Sequence, residues 1–277
     1  MNNSELIQQH IDYHQKIRDF APSTIKTHER ILTKWHYFTD FRNTTILKTK
    51  GKHIIEYITH RRYENVINST ILTELCIIRS FYTFLSKHKH NHTMPCAEIP
   101  SLICETTDEQ KYLTVEECVA FLNGFDTTTA DGLRNYTIFA LIWSTGLRTA
   151  ELTALKWKDF DFDNESFRVR KGKGCKERQL FLNDRLLKEM QAYRETVNNS
   201  SNAPVSPAHT KNAATVKREK ITALSSDRLR EITRTHAAIV GLDKQVTPKT
   251  FRHTFATHMY EAGIPMDDLK EMMGHSC

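Results

Sequence analysis

Four short segments in the second half of the chain carry residue types suited to one kind of chemistry. They read TGLRTAEL at 145–152, GKGCKER at 172–178, KTFRH at 249–253 and MGHS at 273–276. Arg148 follows a glycine that interrupts one helical pattern and precedes the start of another. Lys173 sits in a Lys-Gly-Lys-Gly turn that can swing a cation into a cleft. Arg252 lies near a helix start, and His275 follows a helix-ending glycine. Together they describe a cationic pocket for an anion. No metal site accompanies them: there is no carboxylate cluster for Mg²⁺, no phosphate-cradling glycine loop with its lysine, and no zinc-ligand spacing. Such a pocket fits phosphoryl transfer in which side chains neutralise the charge that develops. Taken singly, each segment has an ordinary reading as a capping arginine, an exposed hairpin turn or a salt-bridge donor. Only their order and spacing carry the chemical one.

The elements that must position these residues fall into two groups. Residues 1–90 read as a helical bundle. Leu6, Ile7, His10, Ile11 and Ile17 recur at helical spacing, and Ser23 or Thr24 is expected to cap a second helix carrying Ile25, Ile31, Leu32, Trp35 and Phe38. A third contains Ile54, Ile55, Tyr57 and Ile58. A fourth starts near Ser69 and presents Ile71, Leu72, Leu75, Ile78 and Leu85. Residues 91–112, with Pro95 and Pro100, read as a linker. The second domain, 113–277, opens on a Thr114/Glu117 capping box, with helices over 115–123 and 132–144. Between 160 and 182 the apolar period changes to two, which predicts a small antiparallel sheet. Helical patterns return at 183–196, 226–239, 248–262 and 266–272, and the polar stretch 197–220 reads as a loop. The fold class is therefore mainly α with a small antiparallel β-sheet.

Composition sets the outer bounds. The chain has 277 residues, 39% hydrophobic and 26% charged, with nine Gly and seven Pro, which suits two folded domains and disfavours a turn-rich all-β fold. No apolar run reaches the roughly 18 residues of a spanning helix, and the N-terminus lacks a signal-peptide stretch. The six cysteines show no Cys-x-x-Cys pair and read as reduced thiols, so a cytoplasmic location is expected. The run His88-Lys89-His90-Asn91-His92 before Cys96 lacks the defined ligand spacing of a structural metal site. Net charge is +6, with Arg168, Arg170, Lys171, Lys173, Lys176 and Arg178 set against Glu177 alone in one short stretch. Nine of the 14 histidines fall in the first 112 residues, where they are placed to meet phosphates.

The four ordered segments resemble the motifs of the tyrosine recombinase (phage integrase) family, most closely its Xer-like members. TGLRTAEL resembles the first arginine box, GKGCKER the β-hairpin lysine turn, TFRHTFATHMYEAG the second box and MGHS the final histidine, while APSTIKTHERIL resembles the entry of the N-terminal core-binding domain. The resemblance implies a C-terminal tyrosine-recombinase catalytic domain that breaks and rejoins DNA through a 3′-phosphotyrosyl bond, with neither metal nor ATP as cofactor. Arg148 and Arg252 would clamp the non-bridging oxygens of the scissile phosphate, Lys173 would protonate the departing 5′-oxygen, His275 would hydrogen-bond the phosphate, and Glu151 would orient the arginine. The implied partner is double-stranded DNA, held between the two domains, with a tetramer on DNA for the complete protein and a monomer in free solution for these 277 residues. Thr24, Lys26, Arg30, Arg79, Lys176 and Arg178 are the expected DNA contacts.

Two departures from the pattern matter. Lys249 stands where the second box normally has a histidine. An imidazole titrates near 6.5 and an alkyl ammonium near 10.4, so Lys249 is expected to act as a fixed positive charge and not as a base. Lysine here is also a feature of some archaeal and viral relatives. The family's nucleophilic tyrosine lies about nine residues beyond the histidine of the MGHS box. Tyr260 lies inside the second-box helix and Cys277 is out of register, so residues 1–277 are expected to bind DNA without cleaving it. The alternatives are a non-catalytic DNA-binding regulator occupying recombination sites and, with less support from the N-terminal bundle, a type IB topoisomerase.

Overall fold

In a computed structural model the chain divides into two compact units, 1–108 and 109–277. The structure describes residues 2–88, 94–97, 102–103, 112–170, 177–197, 200–208 and 221–274. Lys173, Lys176, His275 and the 89–93 histidine stretch lie outside them. Among the described residues no helix is long and apolar enough to cross a membrane, and no group of three or more His, Cys, Asp or Glu is arranged to hold a metal ion.

The N-terminal unit packs four helices: α1 (Asn3–Lys16), α2 (Pro22–Phe41), α3 (Gly51–Tyr63) and α4 (Asn68–Lys87). Their apolar faces meet around Leu6, Leu32, Trp35, Ile78 and Phe81, all fully enclosed. Helix α2 begins earlier than its Ser and Thr suggest. Ala21 is the cap and Pro22 takes the first turn, where its fixed φ suits a helix and its missing N–H leaves no donor unpaired. The segment expected to be linker is partly core, because Cys96 is buried in the N-terminal core and Leu102 packs against that core. Polar groups are enclosed too. Glu74, at 1% exposure, accepts from Tyr57 Oη at 2.9 Å and from Arg61 Nε at 2.8 Å, tying α3 to α4.

Three of the N-terminal histidines face inward instead of toward phosphates. His10 and His14 lie one turn apart on the buried side of α1, and His28 meets them from α2, with His10 Nε2 and His28 Nδ1 3.3 Å apart. Burial, followed by the neighbouring His14 and His28, pushes His10 down to about 3, and burial also lowers His14 and His28.

The C-terminal unit comprises α5 (Val115–Asn123), α6 (Ala130–Thr145), α7 (Thr149–Ala154), β1 (Phe160–Asp161), β2 (Ser166–Val169), β3 (Arg178–Phe181), α8 (Asp184–Thr196), α9 (Ser226–Ile239), α10 (Pro248–Glu261) and α11 (Met266–Met272). The Thr114/Glu117 capping box is formed, with both reciprocal bonds present. The three strands are antiparallel in chain order, with Phe167 opposite both Phe160 and Leu180. Phe121, Phe139 and Phe251 lock α5, α6 and α10 together with ring centroids 4.8 to 5.3 Å apart. The stretch read as a loop is partly built into this core. Val205 is fully buried, and the Trp157 amide donates to the Ala203 carbonyl at 3.2 Å.

The histidine cluster makes the N-terminal unit acid-sensitive. Its folded-state values lie below the unfolded value near 6.5, so the folded unit binds fewer protons and its stability falls as pH drops from about 6.5 toward 3. Urea midpoints followed by Trp35 emission, with Trp143 and Trp157 replaced by Phe, will decrease through that window. A His10→Phe substitution in the same background will flatten the decline.

Candidate active site

The pocket begins where α6 stops. Gly146 adopts φ +62°, the left-handed conformation that ends a helix, and a Cβ there would lie 2.4 Å from a carbon of the Phe255 ring. Both the turn and the approach of α10 therefore demand glycine. Leu147 is buried beside it, and Arg148 becomes the cap of α7. Three residues on, Glu151 reaches back to the Arg148 amide at 2.9 Å and takes its Nη1 at 2.8 Å.

Two further arginines converge on this corner. Arg252, buried on α10, donates through Nη1 to the Gly146 carbonyl and through Nη2 to the Met273 carbonyl at 2.8 Å. Arg178, the first residue of β3, donates Nη1 and Nη2 to the two Glu151 oxygens at 3.0 and 2.8 Å. Its Nε donates to the Met272 carbonyl at 3.0 Å, and Arg148 Nη2 to the Gly274 carbonyl at 2.9 Å.

The electrostatics follow from this packing. Burial would raise Glu151, but the bonds from Arg178 and from the Arg148 amide and guanidinium outweigh it and bring the carboxyl down to about 2. Burial, then the charge of Arg148, lowers Arg252 to about 10, with Glu151 opposing and Arg178 adding to the decrease. Arg252 is still charged at neutral pH. The side chains of Arg148, Arg178, Arg252 and Glu151 together carry two positive charges in excess, and Glu151 and Arg252 are buried. This arrangement favours an anion, and a phosphodiester oxygen suits the planar donors of Arg148, which is 26% exposed.

The structure brings Arg148, Glu151 and Arg252 to one corner. Lys249 is exposed one helical turn before Arg252 on α10. Thr24, Lys26 and Arg30 are exposed on α2, and Arg79 is exposed on α4. Arg178 differs from the expectation of a surface contact, since its side chain is 11% exposed and points into the pocket. Its partner lies 27 residues upstream, beyond the reach of any local pattern.

Comparison with known proteins bears on the whole arrangement. The family model described as "Phage integrase family" matches residues 111–277. The chain belongs to the phage integrase family. Residues 7–89 match that family's N-terminal SAM-like domain. The chain is 28% identical to tyrosine recombinase XerC of Syntrophus aciditrophicus, over 98% of this chain and 89% of the relative. It is 27% identical to tyrosine recombinase XerD of Staphylococcus epidermidis, over 98% and 90%. Among solved structures, the fold matches the Tn1549 transposon integrase in complex with transposon right end DNA (TM-score 0.77, 19% identity, 100% of this chain and 92% of that one). It also matches a lambda integrase dimer bound to a core site (TM-score 0.74, 14% identity, 100% and 96%).

Because Glu151 is held near 2 in the folded state, its contribution to stability is complete above about pH 4.5 and is lost as pH falls toward 2. A Glu151→Gln substitution leaves two guanidiniums facing each other. Urea unfolding at pH 7 will show a loss of about 3 kcal/mol, and the gap between variant and wild type will narrow below pH 4.5.

Proposed function

We propose that this phage integrase family member binds a specific duplex DNA site and prepares one backbone phosphate for strand exchange by a tyrosine nucleophile. The observation that carries the reading is the convergence of Arg148 and Arg252, from separate helices far apart in the sequence, on one corner beside the buried Glu151. The relatives named above, tyrosine recombinases and integrases in complex with DNA, support it. In this mechanism the two guanidiniums bind the non-bridging oxygens and stabilise the pentacoordinate transition state. Glu151 orients Arg148. Lys173 delivers a proton to the departing 5′-oxygen, His275 hydrogen-bonds the phosphate, and Lys249 adds a fixed positive charge. Attack by a tyrosine hydroxyl forms the 3′-phosphotyrosyl bond and frees a 5′-hydroxyl, and the reverse attack by a second DNA hydroxyl completes exchange. The linkage energy is conserved, so no high-energy cofactor enters. Thr24, Lys26, Arg30, Arg79 and Lys176 supply contacts that seat the duplex, and Arg178 acts from within.

Residues 1–277 are proposed to bind without cleaving. Tyr260, the tyrosine nearest the pocket in sequence, lies eight residues past Arg252 on the same helix, about 12 Å along its axis. It is also exposed on α10.

On a duplex recovered from a random-sequence pool, this chain will give a footprint and a steep salt dependence. The Arg148→Gln/Arg252→Gln double variant, which removes both guanidiniums from one phosphate, will reduce the slope of log K against log salt by about 0.9. A nicked suicide version of the same duplex will yield no covalent adduct with residues 1–277. A trapped adduct would refute the non-cleaving part of the reading, and an unchanged slope would refute the phosphate pocket.

A fixed-charge role for Lys249 predicts a second pattern. Lys249→Arg will retain duplex affinity within about twofold, and Lys249→Met will weaken it by about twentyfold, a loss within the range of one charge-assisted contact. Equal losses in the two variants would show that the ammonium does more than supply charge.

A further inference from the structure

Arg178 takes no named chemical step in the mechanism above, yet its whole guanidinium is engaged. All three of its guanidinium nitrogens donate: Nη1 and Nη2 to the two oxygens of Glu151, and Nε to the Met272 carbonyl. Gly274 is shaped around it. That residue adopts φ +62°, and a Cβ there would approach Arg178 Nη1 to 2.8 Å and Cζ to 3.2 Å. Arg178 thus joins the first residue of β3, the carboxylate on α7 and the C-terminal end of α11 at one point.

The consequence falls on Arg148. An arginine and a glutamate three residues apart on a short, partly exposed helix form a pair of little intrinsic worth, and each side chain retains its freedom. Here the second guanidinium grips Glu151 from the other side, in two-point geometry that fixes the plane of the carboxylate. Arg148 then meets an acceptor already held in place. A charge effect runs in parallel. Glu151 paired with Arg148 alone would cancel that arginine's charge, whereas Glu151 shared between two arginines leaves one positive charge for an incoming anion. Prearranged donors need no reorganisation when the phosphate arrives.

We propose that Arg178 is a positioning residue of the phosphate pocket, holding Glu151 and, through it, Arg148 for the phosphate without touching DNA itself. This rests on the reading of Arg148 as a phosphate ligand.

The test uses the 277-residue chain and a duplex recovered by it from a random-sequence pool, carrying a neutral methylphosphonate at one backbone position at a time. The position at which Arg148→Gln causes no further loss identifies the pocket phosphate. Arg178→Gln is expected to weaken binding of the unmodified duplex about tenfold, the scale of a lost buried charge-assisted bond. On the duplex neutral at the pocket phosphate it is expected to change affinity less than twofold. Arg178→Lys keeps the charge but cannot span both carboxylate oxygens and the carbonyl, so it is expected to follow Arg178→Gln. Melting curves separate loss of fold from loss of positioning, and the lysine variant carries the comparison if the glutamine variant unfolds. A loss of equal size on both duplexes would overturn the proposal in favour of a general structural role or a contact to another phosphate. Unimpaired binding by Arg178→Lys would overturn the bracing geometry. If Arg148→Gln is cancelled at no position, the phosphate reading itself falls and the proposal with it.

Discussion

A carboxylate closed off from water between two guanidiniums is the constraint on which the C-terminal unit is built. Glu151 is held ionised inside the fold by bonds from Arg178 and from the Arg148 amide and guanidinium, which α7 and β3 bring to it. Removing one member of such a group is far more harmful than the group is stabilising, because desolvated charge is left behind. Gly146 and Gly274 belong to the same constraint. One lets α6 turn into the arginine against the Phe255 ring, and the other lets the chain pass close to the Arg178 guanidinium. The cationic surplus is therefore a property of the fold, held at a chosen place at a stability cost that the aromatic packing of α5, α6 and α10 offsets.

Apolar periodicity made much of the architecture legible. The faces of α1, α2 and α4 and the alternation at Phe160, Phe167 and Leu180 could be read directly, because each element buries a stripe of its own side chains. What escaped was burial of polar residues. His10, His14 and His28 look like a phosphate-facing set until α1 and α2 close over them, and Glu74 gives no local sign that it ties two helices together. Residues 203–206 read as loop because their order comes from main-chain pairing with neighbours distant in sequence, as when Trp157 bonds Ala203.

The site divided in the same way. Arg148 and Arg252 stand beside helix breaks and starts, and a cation at such a boundary is a signal that survives in sequence. Arg178 stands in a strand within a run of basic residues, which reads as surface. Only the tertiary fold reveals that its partner is Glu151 and that its strand turns it inward. The Lys173 turn and His275 were legible as motifs, and both fall outside the described residues.

The three arginines also bond three successive carbonyls: Arg178 to Met272, Arg252 to Met273 and Arg148 to Gly274. Each contact is to main chain, so it asks nothing of the side chain at the position it holds. Met272, partly exposed, can vary freely as far as the arginines are concerned, and Met273 answers only to its packing with Phe255 and Leu269. Gly274 alone is fixed by its neighbour. The end of α11 is thus gripped in a manner that tolerates drift in its sequence at positions 272 and 273.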